Sequence, residues 1–109
     1  MSKKVINKED IHLTETIKGV YRRTMTFNEN IMLCHFTLEK DAEIPLHHHK
    51  ESQIGYILHG KIKFFTEDKE LIVKKGDSYI FEPDEKHGAT ILENSEAIDI
   101  FNPAREDYK

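Results

Sequence analysis

At 109 residues with a net charge of -4, and with enough Phe, Tyr, Ile and Leu for a thin core, the sequence describes one folded domain rather than a disordered chain. Sixteen Lys and Arg against twenty Asp and Glu exclude a surface built for phosphate, so neither nucleic acid nor an anionic membrane is an expected partner. The chain is wet, with 38% apolar and 33% charged residues, which suits a small two-layer fold.

The first ten residues, M-S-K-K-V-I-N-K-E-D, are basic at the start but contain no apolar run. They argue against a signal peptide or membrane anchor and make the cytoplasm the expected compartment. Residues 1–18 read as a polar arm or edge strand, leaving 19–109 as the domain. The single cysteine, Cys34, excludes an internal disulfide framework and suits a reducing compartment. Within I-M-L-C-H-F it reads as a packed, inert thiol.

From Gly19 onward, short runs of β-branched and aromatic residues alternate with turn residues about every ten positions, the pattern of an all-β sandwich or barrel. The expected strands are Gly19 to Phe27, Ile31 to Leu38, Gln53 to Leu58, Lys61 to Thr66, Glu70 to Val73, Asp77 to Phe81, Ala89 to Leu92 and Ala97 to Phe101. Reversals are expected at 28–30, Gly60, 67–69, 75–77, Pro83-Asp84 and 93–95, where Gly, Pro, Asn or Asp recur. No segment sustains an apolar period of 3.6 residues, so little or no helix is expected. Eight short strands in two antiparallel sheets make a jelly roll.

The stretch P-L-H-H-H-K-E-S-Q-I-G-Y-I-L-H-G, residues 45–60, carries the chemistry. Side chains at i and i+2 of an extended segment point the same way, so His47 and His49 converge while His48 faces away. Gln53 brings an amide oxygen to the same point, and a histidine from a neighbouring strand, with His87 the candidate, completes four ligands. Imidazole suits zinc, copper, iron or nickel, and the oxygen donor extends the range to manganese. A glutamine in place of a carboxylate leaves the set neutral and the ion close to its full charge, which favours anion binding and Lewis-acid chemistry. His12, His35 and His59 lack such company and read as surface or packed residues, with His35 or His59 able to line the cavity.

The closing run A-I-D-I-F-N-P-A-R-E-D-Y, residues 97–108, admits two readings. Periodicity allows Ile98 and Ile100 to face the core with Asp99 in water. The alternative turns Ala97, Asp99 and Phe101 into the cavity, where Asp99 serves as general acid or base.

His47-x-His49-x-x-x-Gln53 with Gly60 seven residues beyond, then Gly76 with His87 eleven residues later, resembles the two motifs of the cupin superfamily. The resemblance implies a jelly-roll barrel with one divalent metal inside: nickel, zinc, manganese or iron. Asp41 stands where the first motif usually opens with Gly, Glu82 and Asp84 stand at the second motif's usual Pro and Gly, and Gln53 replaces the commoner Glu. The tail Asp99-x-Phe101-x-Pro103-x-Arg105-Glu106-Asp107-Tyr108, with G-V-Y-R-R at 19–23 and Q-I-G-Y-I-L at 53–58, is similar to a group of single-domain cupins that includes the KdgF-type enzymes of pectin and alginate breakdown. Those enzymes open a 4,5-unsaturated monouronate to the linear 4-deoxy-5-keto uronate.

The resemblance implies Asp99, Arg105 and Phe101 as catalytic residues: Asp99 moves the proton, Arg105 (or Arg22 or Arg23) pairs with a carboxylate, and Phe101 shapes the pocket. The expected ligand is a small carboxylate or sugar acid. Another metal-cupin enzyme, a dioxygenase or isomerase, and a non-enzymic small-acid binder or sensor are the competing expectations, because one fold hosts many chemistries. A homodimer is also expected, with Ile54, Tyr56 and Leu58 on the face opposite Gln53.

Overall fold

The computed structural model describes residues 3–109. Alternating apolar and polar side chains fold the chain into eight antiparallel strands: β1 (Thr14–Ile17), β2 (Val20–Phe27), β3 (Met32–Leu38), β4 (Glu43–His47), β5 (Ser52–Phe65), β6 (Glu70–Lys74), β7 (Ser78–Phe81) and β8 (His87–Asn102). The helical segments among the described residues are two three-residue 3-10 turns, Lys8–Asp10 and Glu106–Tyr108. The all-β jelly roll expected from the sequence is therefore the fold.

Two strands build both walls of the barrel. The first half of β5 and the second half of β8 pair with each other, and are flanked by β7 on one side and by β3, β2 and β1 on the other. Their remaining halves also pair, and are flanked by β6 and β4. The β5–β8 pairing therefore belongs to both sheets and joins them.

This corrects two expected reversals. Gly60 and residues 93–95 are bends inside β5 and β8, which each replace a pair of shorter expected strands. The ladder shifts register around His59 and Lys61, and the Ser95 hydroxyl fills the gap by accepting from the Lys61 amide at 3.0 Å and donating to the Glu93 carbonyl at 2.7 Å. Gly60 sits at φ 99°, and a Cβ there would lie 2.1 Å from Ser95 Oγ, so only glycine fits this bend.

One strand, β4, escaped the sequence reading, while β1 lies within residues 1–18, the stretch read as an arm or edge strand. β1 pairs with β2 at the sheet edge. Among the described residues β4 pairs only with β8, and its ladder breaks between Ile44 and His47, so Pro45 sits where no ladder donor is needed. Asp41 and Asp84 adopt φ of 74° and 64°. They take the left-handed conformation that explains why related motifs carry glycine at these positions, and Asp tolerates it better than most side chains.

Ile57, Ile62, Phe64, Phe81, Ile91 and Ala97 fill the interior, and Met32, Cys34, Phe101 and Ala104 form a second cluster beneath the tail. Each fully buried large side chain contributes about 1.5–3 kcal/mol. The Cys34 thiol is fully buried, and burial pushes its pKa up to about 12, so it is the inert packed cysteine that was expected. After Asn102 the tail folds back over the barrel mouth: the Ala104 amide donates to Glu29 O at 3.2 Å and the Thr24 hydroxyl to Tyr108 O at 2.7 Å.

Candidate metal centre and active site

The break in β4 turns His47 inward opposite His87, its register partner on β8, with ring centroids 4.5 Å apart. His49 follows on the loop into β5, 5.2 Å from the His87 ring. One nitrogen from each of the three rings lies within 4.8 Å of the others. His48 points out to solvent beside Asp84, as the two-residue period requires.

The backbone selects which nitrogens converge. Nδ1 of His47 donates to Pro45 O at 2.9 Å, that of His49 to Glu51 O at 2.9 Å and that of His87 to Glu85 O at 2.8 Å. Each ring is thus held in the tautomer that leaves an Nε2 lone pair free, the arrangement that prepares imidazole for a metal. Burial lowers the pKa of His87 to about 4, and burial followed by the Arg105 charge lowers that of His49, so both rings stay neutral. Phe81 stacks flat on His87 at 4.1 Å and Phe101 packs edge-on to His49 at 5.8 Å.

Gln53 lies on the inward face of β5, with its Oε1 3.0 Å from His49 Nε2. Its Nε2 donates to Asp99 Oδ2 at 2.5 Å, which fixes the oxygen toward the rings. Since His49 Nδ1 holds that ring's proton, two lone-pair donors face each other at 3.0 Å. Such a pair repels unless a cation lies against both, and the set of three imidazoles and one amide oxygen fits a divalent ion.

Asp99 faces inward with Ala97 and Phe101, so the reading that put it in water is set aside. Burial raises its carboxyl to about 6, while donors from Tyr79 and Gln53 pull the other way. Burial and the Asp99 carboxylate drive the Tyr79 phenol well above its ordinary range, keeping it a donor. The expectation of an uncompensated charge changes accordingly, because a carboxylate stands one hydrogen bond behind the neutral Gln53.

A cavity of about 280 Å³ opens beside this cluster, lined by His47, Gln53, His87, Asp99, Phe101 and Arg105 among others. Arg105 is braced by Asp107 at 3.0 Å and donates to the Tyr108 hydroxyl at 3.0 Å. The Tyr108 ring lies between two guanidinium groups, Arg22 at 3.9 Å and Arg105 at 4.0 Å. Arg23 is directed elsewhere, donating to Ile11 O at 3.3 Å. His35 and His59 do not line this cavity: both contact Glu96, at 2.6 Å and 3.5 Å.

Three participants were missed in the sequence. Tyr79 and Gly55 contact Asp99, and the buried Glu51 carboxylate lies 3.6 Å from His49 Nδ1. A glycine inside an apolar strand, as in Q-I-G-Y-I-L, is the signal that marks a close approach.

Residues 34–101 match the family model of the cupin domain, and the chain belongs to the cupin family. More particularly, it is 33% identical over 92 residues to the pectin degradation protein KdgF of Dickeya dadantii, covering 83% of this chain and 84% of that protein. A solved RmlC-like cupin from Shewanella frigidimarina matches with a TM-score of 0.93 at 29% identity, over 99% of this chain and 97% of the other. KdgF from Halomonas matches with a TM-score of 0.88 at 27% identity, over 96% and 98%. The resemblance carried by the two histidine motifs and the tail is thus borne out. Among the described residues, no helix is long and apolar enough to cross a membrane.

Proposed function

We propose that this cupin opens the ring of a 4,5-unsaturated monouronate to give the linear 4-deoxy-5-keto uronate. The observation that carries the reading is Asp99, a buried carboxylate facing the same cavity as three convergent imidazoles, with Arg105 at its mouth. Its similarity to KdgF supports the substrate class. At about 280 Å³ the cavity takes one sugar ring and not a polymer segment.

His47, His49, Gln53 and His87 would hold a divalent ion, which supplies Lewis-acid polarisation of a substrate oxygen when bound. Arg105 offers its planar fork to the substrate carboxylate, and Phe101 walls the ring. Asp99, poised at about 6, accepts the proton of the anomeric hydroxyl through a lone pair not used by Tyr79 or Gln53. The O–H electrons form the C1 carbonyl, the C1–O5 bond breaks, and its electrons leave an enolate at C5. Asp99 returns the proton to C4, giving the C5 ketone. No atom is gained or lost, so the reaction is an isomerisation.

The test is the loss of enol-ether absorbance when metal-loaded protein meets unsaturated monouronate. Acceleration over blank is expected, with Asp99→Asn lowering kcat by about 10²–10⁴-fold; no acceleration overturns the reading.

We also propose a homodimer in the cytoplasm. Ile80, Ile54 and Ile100 are register partners in one exposed row across β7, β5 and β8, beside exposed Tyr56 and Leu58. A second copy that covers this patch removes it from water. Sedimentation should give twice the chain mass, and Ile54→Lys a monomer.

A further inference from the structure

We propose that Tyr79 and Gly55 are positioning residues that act through Asp99, holding the Gln53 amide with its oxygen rather than its nitrogen toward the three imidazoles. The proposal rests on the metal-site reading above and extends it to residues outside the proposed ligand set.

Tyr79, Gly55 and Asp99 are register partners in one row across β7, β5 and β8. The phenol therefore has to cross an entire strand to reach the carboxylate, and it does so where that strand has no side chain. A Cβ at position 55 would lie 2.2 Å from Tyr79 Cζ and 2.3 Å from both Tyr79 Oη and Asp99 Oδ1. Gly55 does not adopt a positive φ, unlike Gly60, so its lack of a side chain serves space and not backbone conformation. Phe64, 4.6 Å from the Tyr79 ring, and Phe81, at 5.9 Å, pack the phenol in this crossing position.

The consequence falls on Gln53. Tyr79 donates to Asp99 Oδ1, which leaves Oδ2 to receive the Gln53 Nε2. The two ends of a glutamine amide are nearly equal in shape and opposite in hydrogen-bonding sense. Were the amide free to rotate, its NH2 would donate to the His49 Nε2 lone pair 3.0 Å from the present oxygen, and the site would block itself. A carboxylate can only accept, so Asp99 forces the NH2 away from His49. Tyr79 in turn fixes the carboxylate.

The first experiment is zinc titration of wild type and Tyr79→Phe in competition with a chromophoric chelator, with the fold checked by circular dichroism. Tyr79→Phe should bind zinc about tenfold more weakly, within the 10–100-fold cost of losing an outer partner of a ligand. Gly55→Ala should lose a similar factor. A second measurement needs no variant: in zinc-loaded wild type labelled with ¹⁵N, one Gln53 side-chain NH proton should lie downfield and exchange slowly with water. An amide pair with free-glutamine shifts and fast exchange overturns the proposal, as does unchanged zinc affinity in Tyr79→Phe. A wild-type chain that binds no zinc overturns the metal site and this proposal together, whereas normal wild-type binding with an indifferent Tyr79→Phe overturns this proposal alone.

Discussion

Two groups of histidines, one inside the barrel and one outside it, differ in which ring nitrogen is engaged. Inside, His47, His49 and His87 each commit Nδ1 to a backbone carbonyl and leave Nε2 free to converge. Outside, His35 and His59 both spend Nε2 on Glu96. A histidine becomes a ligand here through the carbonyl two residues away that takes its proton, and becomes a structural residue through a carboxylate that takes its other nitrogen.

The most damaging way to break that contrast is His87→Ala, which should weaken zinc binding by more than the roughly 100-fold ceiling of outer-partner losses, read by chelator competition. His35→Ala should instead leave zinc affinity unchanged and lower stability by about 1–3 kcal/mol in denaturant unfolding, since it strips a buried partner from Glu96, to which water still has access. His48→Ala removes an imidazole lying between two of the proposed ligands in sequence yet should change zinc affinity less than about twofold, because an exposed side chain away from such features has little effect. The smallest effect concerns Cys34, next to His35. With its thiol raised from an ordinary 9.0 to about 12, the folded state holds its proton more tightly than the unfolded one, so its contribution to stability is full below pH 9 and declines from there to 12. Alkylation of the native chain at pH 8 should be negligible, and rapid labelling would refute this.

Much of this was legible in the chain. Alternation marked β2, β3, β6 and β7, and the spacing of His47, His49, Gln53 and His87 marked the cluster because period-two geometry is local. What remained hidden depended on partners far away in sequence. Gly60 and residues 93–95 look like reversals one at a time, yet they bend two paired strands together through Ser95. β4 was masked by Pro45 and an interrupted ladder. The direction of Asp99 was ambiguous because the outer face is also apolar at Ile98 and Ile100, so both faces of β8 look suited to a core. Tyr79 acquires its role only when β7, β5 and β8 are laid side by side.

The shared course of β5 and β8 through both sheets has a further result. Neither sheet can peel away by itself, because separating them means tearing the ladder from which both are made. The site draws on both ends of that ladder, with Gln53 and Asp99 near one end and His87 at the other. Local fraying of β1 or the tail can loosen the mouth of the barrel, but the ligand geometry persists until the molecule opens as a whole, which ties retention of an ion there to global unfolding and not to loop motion.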